Sequence, residues 1–177
     1  MAPPAQRAAS SKPASKPAAR PASAPGPLAD VAWLAANLGD PGVRIVHVGP
    51  DRRVYNKRHV PGAVYSDLHR ELALRGTAPE TGAIERESLV PTREQLQVTL
   101  RAWRVGEGDR VVLYDDVGLN RHAIRGYWLL RLYGFPAGNV HVLDGGIEAW
   151  TRAGEPTTRD VPEADLADGL RRPATLG

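Results

Sequence analysis

The period of the apolar positions changes three times between residues 110 and 154. "RVVLY" (110–114) is an unbroken apolar run after one cation, the pattern of a strand buried on both faces. "HAIRGYWLLRLYG" (122–134) then repeats at helical spacing, with Ile124, Trp128 and Leu132 on one stripe and Gly134 to stop it. "NVHVL" (139–143) reads as a second buried strand, and "GIEAWTRAG" (146–154) as a short helix closed by Gly154. Strand, helix, strand, helix with short connections predicts an α/β fold with a mostly parallel sheet and helices on both faces.

The pattern upstream is sparser. Asp30 is a suitable N-cap for "VAWLAANL" (31–38), which Gly39 ends, and "VRIVHV" (43–48) is a β-branched strand. Pro61-Gly62 makes a turn into a further strand, "GAVYS" (62–66). Pro91 and Thr92 open another helix, Gln95 completes a capping box, and Leu96, Leu100 and Trp103 form its apolar stripe.

Composition separates the chain into parts. Residues 1–27 are almost wholly Ala, Pro and Ser, with four cations and no acid, and are expected to be a disordered basic tail. Without those cations the remainder has 19 basic against 20 acidic side chains. The basic pI therefore belongs to the tail, and no nucleic-acid partner is expected for the folded part. No apolar run approaches the roughly 18 residues of a membrane span, so no membrane partner and a cytoplasmic location are expected. A chain without cysteine has neither disulfides nor a thiol nucleophile.

Beyond the C-terminal ends of parallel strands lies the usual ligand position of such folds, and Asp115, Asp116 and Asp144 fall there. The familiar chemistries do not fit. There is no glycine-rich nucleotide loop, no G-x-S-x-G elbow, and no metal-ligand spacing among His47, His59, His69, His122 and His141. No cofactor and no metal are expected. Asp115 and Asp116 are adjacent and diverge on an extended backbone, so they do not form a carboxylate pair. His47 and His141 lie inside strands, where a structural role is expected.

Four segments in order resemble the rhodanese domain, and specifically the N-terminal, non-catalytic half of tandem thiosulfate and mercaptopyruvate sulfurtransferases. They are "VAWLAANLGDPGVRIVHV", "YNKRHVPGAVYSDL", "LVPTREQLQVTLRAWRVGEGDRVVLYDD" and "RGYWLLRLYGFPAGNVHVLDGGIEAW", and the rhodanese domain that the resemblance implies covers residues 28–156. The resemblance implies a rhodanese-like fold. His59 is expected to be structural, Trp150 a core anchor and Arg131 a surface or C-terminal charge.

In active members the loop after the central strand begins with a cysteine that carries sulfur as a persulfide. Asp115 stands at that position and cannot do so. The resemblance thus implies a vestigial active-site loop made of Asp115, Asp116, Gly118 and Arg121. Its N–H groups at residues 116–121 are expected to enclose the Asp115 carboxylate, with Asp116 facing solvent. The implied partner is a second rhodanese domain bearing the cysteine, in cis or in trans. Residues 157–177 resemble the linker to such a domain. Many N-terminal halves carry a histidine shortly before the third helix, where this chain has Ser88 ahead of "LVP". Two other readings stay open: a free-standing inactive module that binds a protein or an anion, and hydrolytic chemistry at Asp115 or Asp116.

Overall fold

The computed structural model describes residues 25–77, 84–162 and 172–176. Five strands form one sheet: β1 (Leu28–Ala29), β2 (Val43–Gly49), β3 (Val64–Asp67), β6 (Arg110–Tyr114) and β7 (Val140–Leu143). Its order is β1-β7-β6-β2-β3 and every neighbouring pair is parallel. Strands β4 (Leu74–Thr77) and β5 (Ile84–Leu89) make a separate antiparallel pair.

Five helices cover the sheet: α1 (Val31–Ala36), α2 (Arg52–Lys57), α3 (Arg93–Ala102), α4 (Arg121–Leu132) and α5 (Gly146–Arg152). Alternation along the strands divides the core. Val46, Val48, Val111, Leu113, Val140 and Val142 face one cluster with residues of α3 and α4. Val43, Ile45, Val112, Tyr114 and Leu143 face the other with residues of α1, α2 and α5. Burial on both faces is why these strands are apolar throughout.

Local signals place the elements as read. The Asp30 carboxylate accepts from the Trp33 N–H at 2.6 Å, and Thr92 and Gln95 close a reciprocal capping box on α3. Trp150 is fully buried and its indole N–H donates to Pro156 O. His59 stacks on Tyr55 at 3.9 Å, with its two ring nitrogens 2.8 Å from Tyr55 O and 3.0 Å from Asp160 O. The Arg131 guanidinium is exposed and donates to Phe135 O just past the end of α4, the C-terminal role expected of it.

The structure corrects the reading of α4. Ile124, Trp128 and Leu132 do not face the core; they are 51%, 44% and 52% exposed. The buried face is Ala123, Gly126, Leu129 and Leu130. A β-carbon at Gly126 would lie 3.3 Å from two Leu113 methyls, so only a small residue lets the helix sit this close to the sheet.

Contacts with the domain continue past both ends of residues 28–156. Gly26 O lies 2.8 Å from His141 Nδ1 and Pro27 O accepts from the Val142 N–H, so the sheet's partners begin before residue 28. After residue 156, Thr158 forms a two-way backbone bridge with His59, and Pro173 bridges Gly106. Ala174 is buried in the α3–α4 core, and Gln97 donates to its carbonyl. The rest of the expected tails, residues 1–24, 163–171 and 177, lies outside the described residues.

Candidate functional site

Strand β6 is central in the sheet and ends at Tyr114, so the next residue emerges at its carboxyl edge. Asp115 is 1% exposed. Its Oδ1 accepts from the Val117 N–H at 3.2 Å, and its Oδ2 from the His122 and Ala123 N–H groups at 2.8 and 3.2 Å. His122 and Ala123 are in the first turn of α4, whose N-cap, Asn120, makes no side-chain cap bond. Asp115 thus does the capping from the far end of the loop, and the positive end of the helix meets a negative charge. The sequence reading put the enclosing donors at residues 116–121. Two of the three instead come from the helix itself.

The loop is fixed from its other side by the turn between β7 and α5. Asp115 O accepts from the Ile147 N–H at 3.2 Å, and the Asn120 side-chain amide donates to Leu143 O at 3.0 Å. Gly146 sits against both, since a β-carbon there would be 2.7 Å from Asp115 O and 3.1 Å from Asn120 Oδ1. Its φ of +57° adds backbone strain to any side chain. Gly118 bends the loop at φ +79° beside the Glu148 carboxylate, and Arg121 is exposed at the start of α4.

Asp116 turns the other way, but not into open solvent. Its Oδ1 lies 3.3 Å from Nε2 of His47, and its side chain is 22% exposed. His47 pairs in register with Tyr114 across the β2–β6 ladder, which brings it beside the residue two past that tyrosine. Tyr55, Tyr65 and Tyr114 surround the ring. Burial lowers the His47 pKa, and the Asp116 hydrogen bond opposes that shift. Burial also raises Tyr114, and takes Tyr65, next to Asp67, up to about 12. The histidine was legible in the sequence only as a strand residue; its pairing with Asp116 needed the sheet register.

The four expected loop residues are therefore contiguous but unlike. Asp115 is enclosed, Asp116 pairs with His47, Gly118 turns the loop, and Arg121 is at the surface. Asp144 is exposed. Ser88 is also exposed, and its carbonyl accepts from Arg125 at 2.8 Å. Among the described residues no group of three or more His, Asp or Glu side chains can hold a metal. Nor is any described helix long and apolar enough to cross a membrane. Chemically, the loop is an anion-binding nest whose anion is its own side chain.

A family profile described as "Rhodanese-like domain" matches residues 30–153. The "Probable 3-mercaptopyruvate sulfurtransferase" of Pseudomonas aeruginosa is 36% identical over 128 residues, which are 68% of this chain and 43% of that protein. Thiosulfate/3-mercaptopyruvate sulfurtransferase 2 of Arabidopsis thaliana is 30% identical over 136 residues, 72% of this chain and 36% of that one. The chain thus spans less than half the length of these curated relatives. Among solved structures, SseA from Escherichia coli shares the fold with a TM-score of 0.66 and 21% identity, over 86% of this chain and 56% of its own. The 3-mercaptopyruvate sulfurtransferase from Leishmania major does so with a TM-score of 0.62 and 22% identity, over 85% and 39%. With its parallel sheet, its ordered segments and a profile match across most of its length, this chain belongs to the rhodanese family.

Proposed function

We propose that this chain is the non-catalytic, N-terminal half of a sulfurtransferase of the thiosulfate or mercaptopyruvate type. It works with a second rhodanese domain that carries the nucleophilic cysteine, and it transfers no sulfur alone. The observation that carries the reading is Asp115, which holds three backbone N–H groups where active members have their thiolate. A carboxylate filling that place needs no external anion and cannot form a persulfide. The absence of cysteine from the whole chain agrees. The names of the relatives and the share of their length that is matched support both the substrate class and the need for more chain.

A free-standing anion-binding module fits less well, because the nest is already occupied. Hydrolysis at Asp115 fits least, because the carboxylate is buried and both of its oxygens are already engaged by backbone N–H groups. The test is direct. Purified chain is given thiosulfate with cyanide, and mercaptopyruvate with a thiol acceptor. No turnover above the buffer blank is expected, and turnover that survives repurification contradicts the proposal.

A further inference from the structure

Helix α2 carries the chain from one edge of the sheet to the other. It starts at Arg52, just past the carboxyl end of β2, and leads to β3, which begins at Val64. Because β2 and β3 are parallel, the connection after α2 lies at the amino edge of the sheet. Asp115 follows β6 at the opposite, carboxyl edge. At the amino edge Lys57, Arg58, Thr157, Thr158, Arg159 and Asp160 line an open hollow of about 500 Å³. That volume is in the range of small-molecule sites.

The two walls of the hollow are distant in sequence and locked together. His59 and Thr158 exchange both backbone N–H bonds at 2.9 Å. The fully buried His59 ring spans the same joint, with one nitrogen 2.8 Å from Tyr55 O and the other 3.0 Å from Asp160 O. The Arg159 Nε–H group donates to Lys57 O at 3.2 Å, across 102 positions of sequence. This frame brings the exposed cations Lys57, Arg58 and Arg159 to one opening.

Among the described residues none of the three forms an ion pair. Elsewhere Arg53, Arg70, Arg110 and Arg172 meet Asp51, Asp67, Asp40 and Glu107. The one acid of the lining, Asp160, accepts from the Thr158 hydroxyl at 3.0 Å. Three positive charges thus face one negative charge around the hollow. Like charges held together repel one another, and an anion between them turns that repulsion into attraction.

We propose that this hollow binds a small phosphate-bearing molecule, with its phosphate between Lys57, Arg58 and Arg159. Guanidinium groups grip tetrahedral oxyanions with two N–H groups at once, and lysine adds a compact charge beside them. Three converging cations suit a dianion better than the single charge of a carboxylate. The exposed Thr157 hydroxyl supplies a neutral donor at the lip. A bare phosphate is smaller than the hollow, which leaves space for the group it is attached to. The site uses neither the Asp115 loop nor a second domain, so it stands independently of the tandem reading.

The test titrates the full chain, labelled with nitrogen-15, with pyrophosphate and with adenosine monophosphate at low salt. Both should saturate with midpoints below about 1 mM. The amide signals of residues 57–60 and 157–160 should move, and those of 115–123 should stay. The tighter of the two tells an inorganic from a nucleotide source. Arg58→Gln and Lys57→Gln, at exposed side chains, should each raise the midpoint about tenfold or more. Arg101→Gln removes an exposed cation of α3, across the sheet from α2, and should change it by less than about twofold. Absence of saturation overturns the proposal. Equal weakening by Arg101→Gln and Arg58→Gln overturns it too, since binding would then follow net charge alone. Adenosine binding as tightly as its monophosphate, or sulfate as tightly as pyrophosphate, overturns the phosphate as the group recognised.

Discussion

Two neighbouring strands, β6 and β7, run parallel, end side by side, and are each followed at once by an aspartate and then a helix. Asp115 after β6 is buried and gathers three N–H groups; Asp144 after β7 is exposed. The difference lies in the connection. Six residues separate Tyr114 from α4, enough for the chain to fold back and bring the helix N-terminus over the carboxylate. Only Asp144 and Gly145 separate Leu143 from α5, and Gly145 and Gly146 both take positive φ to make the turn. An identical residue at an equivalent position in the sheet is thus a nest's anion in one case and a surface charge in the other. Loop length and glycine placement decide which.

The largest expected effect comes from removing each carboxylate in turn. Asp115→Ala leaves three buried donors without their acceptor and should cost about 3 kcal/mol in urea unfolding. Asp144→Ala should stay within about 0.5 kcal/mol. Equal losses would mean that the burial of Asp115 has no energetic consequence. Next come the glycines. Gly146→Ala combines positive φ with a 2.7 Å approach to Asp115 O and should cost about 2–3 kcal/mol. Gly154→Ala, with positive φ but open space around it, should cost about 1 kcal/mol. A Gly146→Ala protein as stable as Gly154→Ala would show that the two turns are not braced against each other.

These contrasts mark what the sequence could and could not disclose. Unbroken apolar runs made β6 and β7 legible, and reciprocal side-chain chemistry made the cap of α3 legible, because both signals are local. The inward face of α4 was not legible. Periodicity counts large apolar residues, whereas the contact with Leu113 selects Gly126 for its smallness. Strand β1 has only two residues, and the β4–β5 pair has an irregular register, so neither leaves a periodic trace. At the site, the carboxylate at position 115 could be read from the order of motifs. Its helix-borne donors and the His47–Asp116 pair depend on contacts between distant segments.

The smallest expected effect concerns Asp116, whose surroundings lie between those of Asp115 and Asp144. Burial lowers the pKa of its partner His47, and also that of His141. The folded state therefore prefers the neutral rings, and the unfolded chain binds more protons below its own histidine pKa of about 6.5. Stability should be full above that pH and decline as pH falls from about 6.5 through the lowered folded-state values. His47→Gln should make this decline shallower without abolishing it, because His141 remains. Urea midpoints measured between pH 5 and 8 read the effect, and a steeper decline in the variant would contradict it.

Everything said of the site rests on the claim that the loop from residue 115 to α4 is an anion cradle filled by its own side chain. Asp115→Cys tests that claim most directly, since it places the chain's only thiol where the carboxylate was. The thiolate would inherit the N–H groups of Val117, His122 and Ala123 and the positive end of α4. Titrated by its ultraviolet absorbance, the thiol should show a pKa below the ordinary value of about 8.5. A pKa at or above that value would mean that burial outweighs the donors, and that the loop is not a cradle.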